Sequence, residues 1–284
     1  MSRPLAGRRA LVTGASRGIG AGIARRLAAE GADVAVVART AEAHPTLPGS
    51  LRETRERLEP HGVKVLTLVA DLADETERAR LVPDAAEGLG GPIDILVNNA
   101  AAAIYQPLVD YPLRRRRLTF EINLQAPIDL MQAAVPAMVT AGEGWIVNLS
   151  SATARLPEPA SPGDPIGGAP STMGIYGSSK AALNRLTSAF AKELQGTGVR
   201  VNTVEPRAAV MTEGANALVG GTVTGDQIES LEAMVEAAVA LCRCEPGRTG
   251  GVHVSLDLLA ELGLPVRSLD AGHLEGGHLE GGKP

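Results

Sequence analysis

Short apolar runs alternate along the chain with longer amphipathic stretches, the pattern of buried strands joined by helices. Ala10–Val12, Asp33–Ala38, Val63–Val69, Ile93–Val97, Trp145–Leu149, Val199–Val204 and Val252–Leu256 read as strands. Ile19, Ile23 and Leu27 recur every four residues and predict a helix directly after the first strand. Leu51–Leu58 reads as a short helix rich in Arg and Glu. Asp74 opens another, with Glu75 and Glu77 in a first turn that suits the helix dipole. A long helical stretch covers Leu113–Val139, and Pro127 or Pro136 should kink or interrupt it. Ile175–Leu194 is helical. Thr224-Gly-Asp-Gln227 resembles a capping box and should open a helix that runs to Leu241. Prolines and glycines mark loops at Ala41–Ser50 and Ala154–Thr172, and the second is long enough to suggest a binding loop. Strands that alternate with helices imply an α/β fold, a parallel sheet covered on both faces. No domain boundary interrupts residues 1–264. Residues 265–284 end in a repeated His-Leu-Glu-Gly-Gly and predict a Gly-rich tail.

Composition narrows the partners. A formal charge of −5 and the lack of a basic arm argue against nucleic acid. The basic run Arg114–Arg117 reads as a solvated helix start or a subunit contact. No apolar run reaches the ~20 residues that span a bilayer, so no membrane partner is expected. Met1–Arg9 has no apolar segment of the signal-peptide kind, so a cytoplasmic location is expected. Cys242 and Cys244 lack companions for a zinc site and are expected as reduced thiols. His273 and His278, on the Gly-rich tail, are expected to bind no metal.

Two stretches carry chemistry. Gly14, Gly18 and Gly20 lie between the first strand and the first helix. A helix N-terminus offers unpaired N–H groups and positive potential, and glycine lets a pyrophosphate approach the backbone. In Tyr176-Gly-Ser-Ser-Lys180, helical spacing puts the tyrosine and lysine about 5–6 Å apart at Cβ. A cation there is expected to pull the phenol below its ordinary pKa of about 10. A phenol so tuned exchanges a proton with a carbonyl or alcohol oxygen.

Together with Asn98-Asn99-Ala100, Asn123 and Ser151, these residues occur in an order that resembles the short-chain dehydrogenase/reductase family, over roughly residues 7–257. The resemblance implies a single Rossmann-like domain with a doubly wound, seven-stranded parallel sheet flanked by helices. It implies a cofactor turn over Thr13–Gly20, including Gly14, Ser16, Arg17, Gly18, Ile19 and Gly20. Asp71, with Leu72 after it, matches the adenine position, and Asn98 and Ala100 match the segment beside the cofactor. Asn123, Ser151, Tyr176 and Lys180 match the catalytic positions. Tyr176 would be the acid/base and Ser151 would bond the reacting oxygen. Lys180 would lower the Tyr176 pKa and hold ribose hydroxyls, and Asn123 would hold a water. The implied activity interconverts a carbonyl and a secondary alcohol on a small molecule by hydride transfer. The alternative is a non-catalytic NAD(P)-binding sensor or scaffold.

The second strand ends at Ala38, where NAD binding favours a carboxylate. Arg39 follows, and Arg17 lies in the glycine turn, so a 2′-phosphate fits better. NADP(H) is the expected cofactor, with NAD(H) the alternative. Three features depart from the family pattern. Ala101 stands where glycine is usual, Pro206-Arg207 replaces Pro-Gly, and Ser151 lies unusually far from Tyr176. Pro206 is still expected beside the cofactor, and Thr212 is a further contact in question. Ala102, Ala103, Ile104, Tyr105, the proline-rich insert and residues 210–222 are expected in a largely apolar substrate pocket. The family also implies a homodimer or homotetramer built on the two long helices.

Overall fold

Arg9–Thr13 (β1) pairs in parallel with Asp33–Ala38 (β2) on one side and Ile95–Asn98 (β4) on the other. Val65–Val69 (β3) lies outside β2. Beyond β4 come Gly144–Leu149 (β5), Val199–Glu205 (β6) and, at the far edge, Val252–Val254, which is β9 after the two short strands named below. The order is therefore β3-β2-β1-β4-β5-β6-β9, with every pair parallel. This computed structural model describes residues 3–42, 47–156, 172–219 and 228–272.

Because strand order reverses between β1 and β4, the connections leave to opposite sides and open a crevice at the carboxyl ends of the strands. Helices cover both faces. Gly18–Ala29 (α1), Leu51–Leu58 (α2), Leu231–Leu241 (α8) and Ser255–Leu262 (α9) cover one. Their Ile23, Leu27, Leu51, Leu58, Met234 and Leu258 pack on Ala10 and Val12 of β1. Glu75–Leu89 (α3), Ala126–Ala141 (α5) and Gly174–Glu193 (α6) cover the other, where Leu81, Leu130 and Met131 pack on Leu11 and Leu96. Alternate residues of one strand thus serve two cores, as expected for a strand buried on both faces. Local chemistry sets the helix starts. Asp74 Oδ1 accepts from Thr76 N (2.8 Å) and Glu77 N (3.1 Å), and Ser50 Oγ accepts from Glu53 N (3.1 Å).

One expectation is met, two change, and a small second sheet is added. The stretch Leu113–Val139 is divided: Leu113–Phe120 (α4) runs into a π-turn at Glu121–Gln125 and then α5. Pro127 sits in the first turn of α5, where its missing N–H costs little and leaves the carbonyl four residues earlier without a helical donor. Pro136 lies inside α5. Ser230, not the Thr224–Gln227 stretch, caps α8, its Oγ accepting from Ala233 N at 3.1 Å; residues 224–227 lie outside the described residues. Ser255 and Leu256, expected at the end of a strand, begin α9. Ala209–Val210 (β7) and Ile228–Glu229 (β8) form a second, two-stranded parallel sheet, and Glu213–Val219 (α7) lies between them. Neither strand is long enough to leave a periodic signal.

The expected tail does not detach at residue 265. Val266 and Leu269 pack against the α1 face, and the Arg25 guanidinium donates through Nε to Asp270 at 2.7 Å. The His-Leu-Glu-Gly-Gly repeats lie outside the described residues, as does most of the expected Ala154–Thr172 loop.

Candidate active site

The glycine turn is built by packing before any ligand is considered. Gly14 and Gly18 take φ of 65° and 55°, the left-handed region. Asn99 Nδ2 donates to the carbonyls of Thr13 (2.9 Å) and Gly14 (3.1 Å). Thr13 Oγ1 accepts from the backbone N–H of Asn99 (3.0 Å) and Ala100 (3.1 Å). A Cβ at Gly14 would lie 2.8 Å from Ala100 Cα, and one at Gly20 would lie 2.3 Å from Asn99 Nδ2. Two of the three glycines are thus required by the neighbouring strand end. No side chain caps the start of α1 and no acidic residue occupies its first turn, so the dipole there is not offset by a carboxylate of its own helix.

A cavity of about 640 Å³ runs along the strand ends. At one end stand Gly14, Ser16, Arg17, Gly18 and Ile19, with Arg39, Asp71 and Leu72 beside them. Arg39 is exposed, and no carboxylate stands at Ala38. Arg17 is partly committed, its Nε donating to Pro48 O (2.8 Å) and its Nη2 to Gly49 O (3.0 Å). Asp71 Oδ1 accepts from Ala73 N at 3.0 Å, which shapes the turn after β3. At the other end stand Ser151, Tyr176, Lys180 and Pro206.

Three expected catalytic or cofactor residues do not line the cavity, Gly20, Asn98 and Asn123, and neither do Ala102 and Ile104, expected in the substrate pocket. Gly20 faces Asn99. Asn98 points into the sheet layer, where its Nδ2 donates to Asn148 Oδ1 at 2.8 Å, and Asn148 Nδ2 donates to Thr187 Oγ1 at 2.9 Å. These amides tie β4, β5 and α6 together. Asn123 is fully buried in the π-turn. Its Oδ1 accepts from Ala102 N (2.7 Å) and its Nδ2 donates to Ser179 Oγ (2.9 Å), which in turn donates to Tyr176 O (2.6 Å). Asn123 therefore reaches Tyr176 through the backbone of α6.

Ser151 and Tyr176 come together despite their separation in sequence. Ser151 lies two residues past β5 and caps the short turn Ala152–Ala154, its Oγ accepting from Thr153 Oγ1 at 2.9 Å. The excursion is held at both described ends. Arg155 Nη2 bonds Glu205 Oε1 at 2.6 Å, and Thr172 O accepts from Gln106 N at 2.9 Å. Lys180 is buried and its Nζ donates to Leu149 O at 2.6 Å. It lies 5.9 Å from the Tyr176 ring centroid.

The electrostatics differ from the expectation drawn from spacing. Burial pushes the Tyr176 phenol above its ordinary range, the nearby Tyr105 adds to this, and a hydrogen bond with Ser151 opposes it. Lys180 does not draw the phenol down. Its own pKa falls to about 8, because burial penalises the ammonium. Desolvation therefore outweighs the cation, and the phenol is a neutral acid at physiological pH.

Sequence reasoning left out Ile122 and Met234, which line the cavity with Asn99 of the expected cofactor segment and Val210 of the expected pocket stretch 210–222. It also left Thr212 in question. That side chain stands over Gly18, where an added Cβ would meet it at 3.0 Å, and it borders the cavity. Nothing in the local pattern marks these positions, because the fold brings them in from other strand ends.

The geometry has counterparts. The short chain dehydrogenase family matches residues 8–219. A hydroxysteroid dehydrogenase-like protein 2 from Danio rerio is 33% identical over 275 residues, which cover 95% of this chain but only 62% of that relative. Among solved structures, a 3-oxoacyl (acyl-carrier-protein) reductase from Agrobacterium tumefaciens C58, with NADP bound, superposes with a TM-score of 0.73 at 30% identity, covering 89% of this chain and 94% of its own. A short chain dehydrogenase from Mycobacterium thermoresistibile gives a TM-score of 0.77 at 30% identity, covering 95% and 94%. With that match, the parallel sheet and the cavity at its carboxyl edge, the chain belongs to the short-chain dehydrogenase/reductase family of oxidoreductases.

Proposed function

We propose that this chain is an NADP(H)-dependent oxidoreductase that interconverts a carbonyl and a secondary alcohol, with Tyr176 as general acid/base. One observation carries the reading: a single cavity has the glycine turn and Arg39 at one end and Ser151, Tyr176 and Lys180 at the other. The residues present fit a dinucleotide. The turn holds the backbone open for a pyrophosphate. Arg39, with no carboxylate at Ala38, suits a 2′-phosphate. A bound dinucleotide supplies or accepts a hydride, and the protein aims it and manages the proton.

In reduction, the Tyr176 phenol gives its proton to the carbonyl oxygen as the carbon gains a hydride. The Ser151 hydroxyl donates to that oxygen and stabilises its growing charge. The phenolate left behind is stabilised by the Lys180 ammonium. Asn123 acts through Ser179 and the α6 backbone, as a positioning residue. Ala101, Ala103, Tyr105, Ile122 and Val210 line the cavity and favour an apolar frame around the reacting group. The similarity to a hydroxysteroid dehydrogenase-like protein of Danio rerio supports that class, and the NADP-bound reductase supports the cofactor. Residues 1–264 would act as one NAD(P)-binding unit, followed by the Gly-rich tail. Leu113 on α4 and Val139 on α5 are exposed apolar residues, which supports association into a homodimer or homotetramer through these helices. Among the described residues no helix is long and apolar enough to cross a membrane.

The test is a panel of apolar ketones and secondary alcohols, read by nicotinamide absorbance with each dinucleotide. Tyr176→Phe should lower kcat by about 10²–10⁴-fold while nucleotide affinity is kept. Turnover that survives in Tyr176→Phe would remove the acid/base role. Preference for NAD(H) in the wild type would remove the 2′-phosphate reading.

A further inference from the structure

Aromatic side chains are scarce here: one Trp, three Tyr and two Phe in the whole chain. Yet two of the three tyrosines meet at the cavity. The Tyr105 ring stands edge-on to Tyr176, with centroids 5.7 Å apart and planes at 66°. Edge-to-face pairs in this range attract beyond what area burial provides.

Tyr105 is also held in place. It lies in the irregular run after β4, in which alternate residues have separate duties. Ala101, Ala103 and Tyr105 line the cavity. The intervening residues are anchored: Ala102 N donates to Asn123 Oδ1 (2.7 Å), Ile104 O accepts from Tyr111 Oη (3.0 Å), and Gln106 N donates to Thr172 O (2.9 Å). The backbone is thus pinned on each side of Tyr105. Each anchor reaches a different place: the π-turn, the residues just before α4 and the residues just before α6. A strap fixed this way holds its ring against Tyr176 rather than letting it sample solvent.

We propose that Tyr105 is a positioning residue for Tyr176: its ring fixes the orientation of the phenol and shields it from water. The proposal rests on the reading of Tyr176 as the acid/base. The groups facing that phenol are Tyr105 from the strap, Ser151 from just past β5 and Lys180 from α6. Ser151 favours the phenolate through its hydrogen bond, while burial and then the charge of the neighbouring Tyr105 oppose it. Removing the ring exposes the phenol, so it ionises at lower pH and loses its fixed direction. Tyr105→Phe keeps the ring and the shield.

The experiment is an ultraviolet titration of tyrosinate in the wild type, Tyr105→Phe and Tyr105→Leu, each measured against its Tyr176→Phe counterpart to isolate Tyr176. Tyr105→Leu should shift the Tyr176 midpoint down by about one pH unit, while Tyr105→Phe, which loses only the repulsion between the two phenolates, should shift it by less. In turnover, Tyr105→Leu should lose about tenfold in kcat with KM little changed, and Tyr105→Phe should restore both. If Tyr105→Leu does not fold, Tyr105→Met takes its place. A Tyr176 midpoint that stays put without the ring, or that moves as far in Tyr105→Phe, overturns the proposal. The titration needs no turnover. Inactivity toward every carbonyl would overturn the catalytic reading, while the midpoint alone still decides whether the ring shields the phenol.

Discussion

Lys180 is a cation that folding removes from water, and burial brings its pKa from 10.5 to about 8. Between those values the unfolded chain holds a proton that the folded chain has released. Stability therefore rises with pH through that window, and the full cost of the buried ammonium is present below pH 8. Lys180→Met should stabilise the protein at neutral pH by about 3 kcal/mol, less about 1 kcal/mol for the Leu149 carbonyl that loses its donor. The gain should shrink as pH climbs toward 10.5. Urea unfolding at a series of pH values checks this, and a Met variant less stable at neutral pH would contradict it. In the proposed reaction, the stability given up at Lys180 is what holding a cation beside Tyr176 costs. At this scale the sequence was partly legible. The Tyr176–Lys180 spacing put the pair on one helix face, but not which of desolvation and charge would set the phenol. That balance depends on how Tyr105, Ser151 and Leu149 close around it, and these come from other elements.

The β1–α1 unit shows what an element needs from its neighbours. Its strand, glycines and helix were readable in order. The reason for Gly20 was not. A methyl there would sit 2.3 Å from Asn99 Nδ2 and 2.5 Å from Gly14 O, and the backbone has no room to yield. Gly20→Ala should displace Asn99 from the Thr13 and Gly14 carbonyls, cost about 1–3 kcal/mol and weaken dinucleotide binding. Thermal unfolding and nucleotide titration would show both losses, whereas wild-type affinity in the variant would refute the role given to Asn99. The helix over α4 and α5 makes the same point. Pro127 announced an interruption, but the π-turn it accompanies is what places Asn123 beneath Ala102 and Ser179. The start of α8 was misplaced because a capping box is a local pattern, and Ser230 offered a cap closer to the apolar face.

Across the whole molecule, a buried ionic network joins parts distant in sequence. The Arg26 guanidinium is fully buried between Glu30 (3.0 Å) and Glu236 (2.8 Å), and Arg243 also reaches Glu30 at 3.2 Å. Arg26 Nη1 donates to Ser268 O at 3.3 Å, so α1, α8 and the segment after α9 share one contact. Arg26→Met would leave two buried carboxylates short of charge and should cost about 3–5 kcal/mol. Denaturant unfolding measures it, and a loss below about 1 kcal/mol would show that solvent or Arg243 compensates. Beyond Arg26 and Glu30, one helical turn apart, the residues of this network carry no recognisable spacing, so the sequence reading allowed the chain to leave the core at residue 265. What the sequence by itself determined is whatever periodicity and turn chemistry encode: seven strands, the helices between them, the glycine turn and the Tyr176–Lys180 face. Only the tertiary structure decided which strand ends share the cavity, that Ser151 meets Tyr176, and that Tyr105 stands against them. Those contacts join residues far apart in the chain, and their strength lies in burial, which no local pattern records.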